Sequence, residues 1–383
     1  GGGGDDSGQI GLAKFTSGVI HTIGGVTIGG DVVGAAGNFS GSLRVVDTFI
    51  SEFDSFGAVK VAGDWKGGSG YHAGSIHGAT LTSMTLGGSL IGGSNTFTGS
   101  WQMIAKSVTI DGDVIGGSGG NTAYISSNPK TLTIRGSLIG GTGGDAGILA
   151  GSASKVVIGH DMSGTIGMTS FGSLTIEGSI TVGGGISGFL GPITVKGSII
   201  GSAAQEVQII GRGDISLAPG LPPYIPLPSL TVGGRVEHAL IAVGFSSGAW
   251  VDPDAQIGTV KVGGDWIASN LLAGIDPTDG QIGDGNEHKA DLGMRDHPEL
   301  SSKIASIVIG GQVIGNVNDP SKTYGFGAEE IGSFKVNGVA LSLTPGKNND
   351  KFASAGVVGN AIPIGSSRGN VVSDGFAVHV FEV

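Results

Sequence analysis

Cysteine is absent from all 383 residues, so no disulfide staples this chain, and its core and hydrogen-bond ladders must hold it alone. Charge is scarce as well: Asp, Glu, Lys and Arg make up 13% of the sequence and aromatics 6%. A disordered chain would carry more charge and less Val and Ile. Bases are the rarer sign, 20 Lys and Arg against 31 Asp and Glu, for a formal net charge of −11. Phosphate contacts need clustered Lys and Arg, so no nucleic-acid partner is expected. No apolar run reaches the ~18 to 20 residues of a membrane helix, so no membrane span is expected. Gly1 to Gly4 offer neither a basic start nor an apolar stretch. The composition reads as extracellular or cell-surface, and the export signal of such a protein is expected outside this sequence.

What the chain has in quantity is glycine, 78 residues, without the strict triplet period of collagen. Length would by itself argue for two or three domains, but internal repeats override that prior. One phrase recurs: apolar, Thr or Lys, apolar, any residue, Gly, a small polar residue, then two mostly apolar residues and Gly. It runs Val26 to Gly34, Met84 to Gly92, Val108 to Gly116, Leu132 to Gly140, Val156 to Gly164, Leu174 to Gly183 and Ile193 to Gly201. Weaker copies begin at Val59, Leu230, Val260, Ile307 and Phe334. From Val59 the starts are 25, 24, 24, 24, 18 and 19 residues apart, then 37, 30, 47 and 27.

Each copy alternates apolar and polar residues briefly, bends at Gly and alternates again. That is the pattern of short half-buried strands, with no helical period. One such coil cannot bury its own apolar face, so copies must stack. The expected fold is all-β, a parallel β-solenoid with short strands, Gly-rich turns and two loop insertions. Coils are expected over residues 1–217. A Pro-rich loop or joint follows at 218–228, with five Pro between Ala218 and Pro228. Coils continue over 229–383, with an acidic insertion at 270–303 and a C-terminal strand, Phe376 to Val383, read as a cap or as a mating edge for another copy.

The phrase itself, with Ser306-Ile307-Val308-Ile309-Gly310-Gly311-Gln312-Val313-Ile314-Gly315 and Tyr324-Gly325-Phe326-Gly327-Ala328-Glu329-Glu330-Ile331-Gly332-Ser333-Phe334-Lys335-Val336, resembles bacterial β-strand-repeat surface proteins. These are large exported proteins best represented in planctomycetes and their relatives. The resemblance covers most of the chain and is most specific in its C-terminal third. It implies an extracellular solenoid, and it brings no activity and no catalytic residues.

Candidate chemistry starts with the acidic insertion. Asp276, Asp279, Asp284, Asn286 and Glu287 put hard oxygen donors on a Gly-turned loop, the chemistry Ca²⁺ takes, though not at EF-hand spacing. The plain alternative is a solvated loop held by Asx turns. Asp or Ser follows the central Gly in many copies: Asp31, Asp64, Ser89, Asp113, Ser137, Asp161, Ser179, Ser198 and Asp265. A carboxylate column would bind cations. Free exchange of Asp with Ser favours turn residues that cap their own backbone two positions on.

Thr27, Thr85, Thr109, Thr133, Thr175, Thr194 and Thr231 would form an outward column if their copies are in register, with Lys60, Val157, Lys261, Val308 and Lys335 interrupting it. A flat Thr face suits ice or a crystalline polysaccharide; β-propensity explains it more simply. Trp65 and Trp266 share a Gly-Asp-Trp echo and read either as exposed sugar platforms or as fillers of a wide corner.

No catalytic constellation stands out. His160 and Asp161 are adjacent, Gly112 breaks the strand between Asp111 and Asp113, and Gly183 to Gly188 matches a phosphate-loop pattern that this glycine content produces by chance. The expected role is a non-enzymatic, self-associating component of a surface layer, fibre or adhesive stalk, with surface polysaccharide as a further partner. A carbohydrate-binding or polysaccharide-lyase β-helix is the alternative.

Overall fold

The computed structural model describes residues 2–13, 22–46, 55–213, 225–246, 249–250, 252–276, 288–289, 299–315, 323–354, 357–358 and 378–382. These residues are all-β, with no helix among them, and most strand pairs are parallel. The chain divides into two compact units, Gly1–Gly178 with Gly183–Gly185 and Ser179–Val182 with Ile186–Val383. The division falls near 178–186 and not in the Pro-rich stretch.

In the first unit the recurring phrase pairs with its own next copy. Val26–Ile28 lies beside Ser55–Val61, which lies beside Ile76–Leu86, then Ser107–Ile110, Thr131–Ile134, Lys155–Ile158 and Leu174–Ile176, all parallel. The register matches phrase to phrase. Val59, Met84, Val108, Leu132, Val156 and Leu174 therefore share one buried row, and Val61, Leu86, Ile110, Ile134, Ile158 and Ile176 another. Each such side chain contributes ~1.5–3 kcal/mol by leaving water, which no single copy could collect alone.

Between these rows the Thr column forms as expected: Thr27, Lys60, Thr85, Thr109, Thr133, Val157 and Thr175 stand in one register line. A second set of strands holds Val32, Trp65, Leu90, Val114 and Leu138 in a line. A third holds Ile10, Leu43, Ile76, Trp101, Ile125, Leu149 and Ile166. Ile76–Leu86 serves both the first and the third set along its 11 residues.

The second unit repeats this scheme with longer spacings. Ile193–Val195, Leu227–Val232, Gln256–Val262, Lys303–Ile309 and Phe334–Val336 pair in parallel, so Thr194, Thr231, Lys261, Val308 and Lys335 align. Of the Pro-rich stretch, Leu227 and Pro228 are already strand; residues 218–224 lie outside the described residues. The acidic stretch 270–303 likewise begins as a buried strand, Asn270–Ala273, between Ala239–Ser246 and Tyr324–Ala328.

Parallel pairing gives way to antiparallel pairing near the C-terminus. Val339–Ala340 folds back on Phe334–Val336, Val357–Val358 runs against Val313–Ile314, and Lys351–Ser354 runs against Val378–Glu382. Val378–Glu382 also pairs in parallel with Tyr324–Ala328, so both of its edges are occupied within the chain. Glu382 locks this end: its buried carboxylate accepts the backbone N–H groups of Ile331, Asn349 and Asp350. Burial holds its pKa above the usual carboxylate range, against the pull of these hydrogen bonds.

The tryptophan alternative is resolved by burial. Trp65 and Trp266 are each 1% exposed, so neither is a sugar platform. Trp65 Nε1 donates to the Gly74 carbonyl at 2.6 Å and Trp266 Nε1 to that of Ser269 at 2.9 Å, which satisfies the indole while the ring fills the interior.

Candidate functional site

At seven of the nine positions of the Asp/Ser column the side-chain oxygen reaches the next copy and not its own backbone. Asp31 Oδ1 accepts the Asp64 N–H at 2.9 Å, Asp64 Oδ1 the Ser89 N–H at 2.8 Å, Ser89 Oγ the Asp113 N–H at 3.0 Å and Asp113 Oδ1 the Ser137 N–H at 2.7 Å. In the second unit Ser179 serves Ser198, Ser198 serves Arg235 and Asp265 serves Gln312 in the same way. The short second strand needs this help, since it is two residues long in each copy. The own-backbone expectation fails because each turn presents its N–H to a neighbour that supplies an acceptor at the same height.

Lys66 ties the first two rungs together. Its Nζ lies 2.9 Å from Asp31 Oδ2 and 3.0 Å from Asp64 Oδ2. The hydrogen bond from Lys66, then that from the Asp64 backbone, lowers the pKa of Asp31. The Ser89 N–H, then Lys66, does so for Asp64, and the two carboxylates raise the pKa of Lys66. Asp113 is likewise engaged, and Asp111 forms an ion pair with Arg135 at 3.3 Å.

Of the acidic loop, Asp276 is placed: Ile275–Asp276 pairs antiparallel with His288–Lys289, with Asp276 opposite His288. This pairing brings the two ends of the loop together. Asp279, Asp284, Asn286 and Glu287 lie outside the described residues.

Two further features lie side by side in the first unit, and the sequence reading had singled out neither. The first is an aromatic stack at a turn. Phe39, His72 and Phe97 have φ of 53°, 55° and 58°, a left-handed backbone that bulky residues seldom adopt. Asn121 and Asp145 continue the position at 53° and 56°. The conformation is held because each N–H reaches the next copy: Phe39 to the Tyr71 carbonyl, His72 to that of Thr96 and Phe97 to that of Gly120.

The His72 ring lies flat between Phe39 and Phe97, with centroids 5.0 and 4.9 Å away and interplanar angles of 5° and 7°. Tyr71 meets all three rings edge-on, and the Arg44 guanidinium sits 4.0 Å above Phe39. Burial first, then the neighbouring His77 and Arg44, pushes the His72 pKa down to about 4, so this imidazole is neutral at pH 7. The signal was readable as an aromatic, Asn or Asp two residues before a Gly or Ala, at 39, 72, 97, 121 and 145.

The second feature is a groove at a β-bulge. Trp101 faces Ile76 and Gln102 faces His77, but Met103 faces Ala79, so Gly78 is the extra residue, at φ 70°. Gln102 also lies opposite Ser126 on Ile125–Ser127. At the bulge lies a cavity of about 240 Å³ across the three strands, lined by Gly78 and, among others, Thr80, Gln102, Ile104, Ser126 and Asn128. His77 joins the two features: its ring contacts His72 at 5.1 Å and it hydrogen-bonds Gln102. Burial, then Arg44, lowers the His77 pKa despite that bond.

Comparison with protein-family models, with curated proteins and with solved structures finds no match to this chain.

Proposed function

We propose that this chain is a parallel β-solenoid that serves as a non-catalytic structural element of an extracellular or cell-surface assembly, in keeping with the bacterial β-strand-repeat resemblance. The observation that carries the reading is the side-chain ladder. Asp31, Asp64, Asp113 and Asp265, the acids best placed by the repeat to form a chemical column, each bind the backbone of the next copy instead. Their oxygens hold coils together, which is what a load-bearing or spacer element requires.

Self-association on this reading uses lateral faces and not the C-terminal end, because antiparallel strands already cover that end. The in-register Thr column offers such a face, regular and carrying little charge. Asp276 with Asp279, Asp284, Asn286 and Glu287 would hold the bridging Ca²⁺. The test is negative-stain electron microscopy of the chain with Ca²⁺ and then with EGTA. Sheets or bundles that dissolve in EGTA support a cation-bridged assembly. Assemblies that survive EGTA support self-association and remove the loop from it. Single particles in both conditions reject self-association.

A further inference from the structure

The groove at Gly78 has the chemistry of a ligand site, and it is independent of any assembly role. Its lining holds no Asp, Glu, Lys, Arg or His, so it selects against ions. Two amides are pre-oriented by bonds behind them. Gln102 is engaged by His77, and Asn128 Oδ1 accepts the Ser152 N–H at 2.8 Å, which leaves the Asn128 amide hydrogens free to donate. Thr80 and Ser126 add hydroxyls that both donate and accept. Ile104, 45% exposed, supplies an apolar face beside them.

The bulge supports the reading too. An extra residue in one strand re-aims the side chains around it, and the extra residue here, Gly78, itself lines the groove.

We propose that this groove binds one neutral pyranose ring. Such a ring combines a hydroxyl-bearing edge, suited to the amides and hydroxyls, with a C–H face suited to Ile104. The volume of about 240 Å³ falls below the ~300 Å³ at which drug-sized pockets begin, so the site takes one sugar unit, terminal or within a chain that runs on into solvent.

The experiment titrates methyl glucopyranoside, methyl galactopyranoside and methyl mannopyranoside into the full chain, read by saturation-transfer difference NMR. At least one is expected to bind in the millimolar range, as befits a small half-open site. Ile104→Ala, at an exposed position where folding is not at risk, should weaken that binding by about threefold or more. Gln102→Ala should weaken it further, with circular dichroism checking that the strands are intact. No transfer from any of the three sugars overturns the proposal. So does binding that neither substitution weakens, or glucuronate binding as tightly as its neutral counterpart.

Discussion

The carboxylate of Asp64 accepts the backbone N–H of Ser89, 25 residues later, at 2.8 Å, so one copy of the repeat supplies the acceptor that the next copy lacks. The same oxygen position is filled by a hydroxyl at Ser89 and Ser198, each accepting from its own next copy. Asp64→Ala should therefore destabilise the first unit by about 1 kcal/mol, allowing for partial exposure of the group. Asp64→Ser should recover more than half of that loss. Urea unfolding followed by circular dichroism compares the two. Equal midpoints for Ala and Ser would mean that the ladder contributes nothing.

The glycine before each ladder residue follows from the same contact. A Cβ on Gly136 would run into Asp113 Oδ1 and come within 2.6 Å of the Gly112 carbonyl oxygen. Gly63, Gly88, Gly178 and Gly311 meet an Asp oxygen of the preceding copy in the same way. Gly136→Ala is thus expected to cost about 1–3 kcal/mol through overpacking. Gly144, in the neighbouring turn, has open space around its Cβ position. Gly144→Ala should be neutral or stabilise by ~0.4–1 kcal/mol through the unfolded chain. Thermal melts of the two variants check the contrast, and equal losses would show that close approach is not the reason for Gly136.

Much of this was legible because repetition converts a one-dimensional period into a three-dimensional column. Thr85, Thr109 and Thr133 were 24 residues apart in sequence and are direct neighbours in register. The buried rows from Val59 and Val61 onward follow from the same alternation. What could not be read was anything set by the relation between copies and not by the period within one. The partner of Asp64 is such a relation, since an Asx turn and an inter-copy bond have one sequence signature. The bulge at Gly78 is another, because a single extra residue among many glycines carries no mark. The left-handed turn at His72 was periodic, but nothing in the identity of Phe39 or Phe97 announces a positive φ.

His72 makes the stability of the first unit depend on pH in a predictable direction. The imidazole titrates near 6.5 when unfolded and near 4 in the fold, where it lies between Phe39 and Phe97 and faces His77 and Arg44. Between those values unfolded chains take up a proton that folded chains refuse. Its contribution is therefore complete above about pH 6.5 and is lost as pH falls toward about 4. The lowered pKa of His77 acts in the same direction. His72→Phe keeps the stack and the turn, since Phe already occupies both neighbouring positions, and it removes a buried Nδ1 that has no partner. At pH 8 the variant should match or exceed the parent. At pH 5 its advantage should grow by about 1 kcal/mol, discounted for residual solvent screening. Urea midpoints at the two pH values measure this, and an advantage that stays constant or shrinks on acidification would show that His72 is not held neutral by the stack.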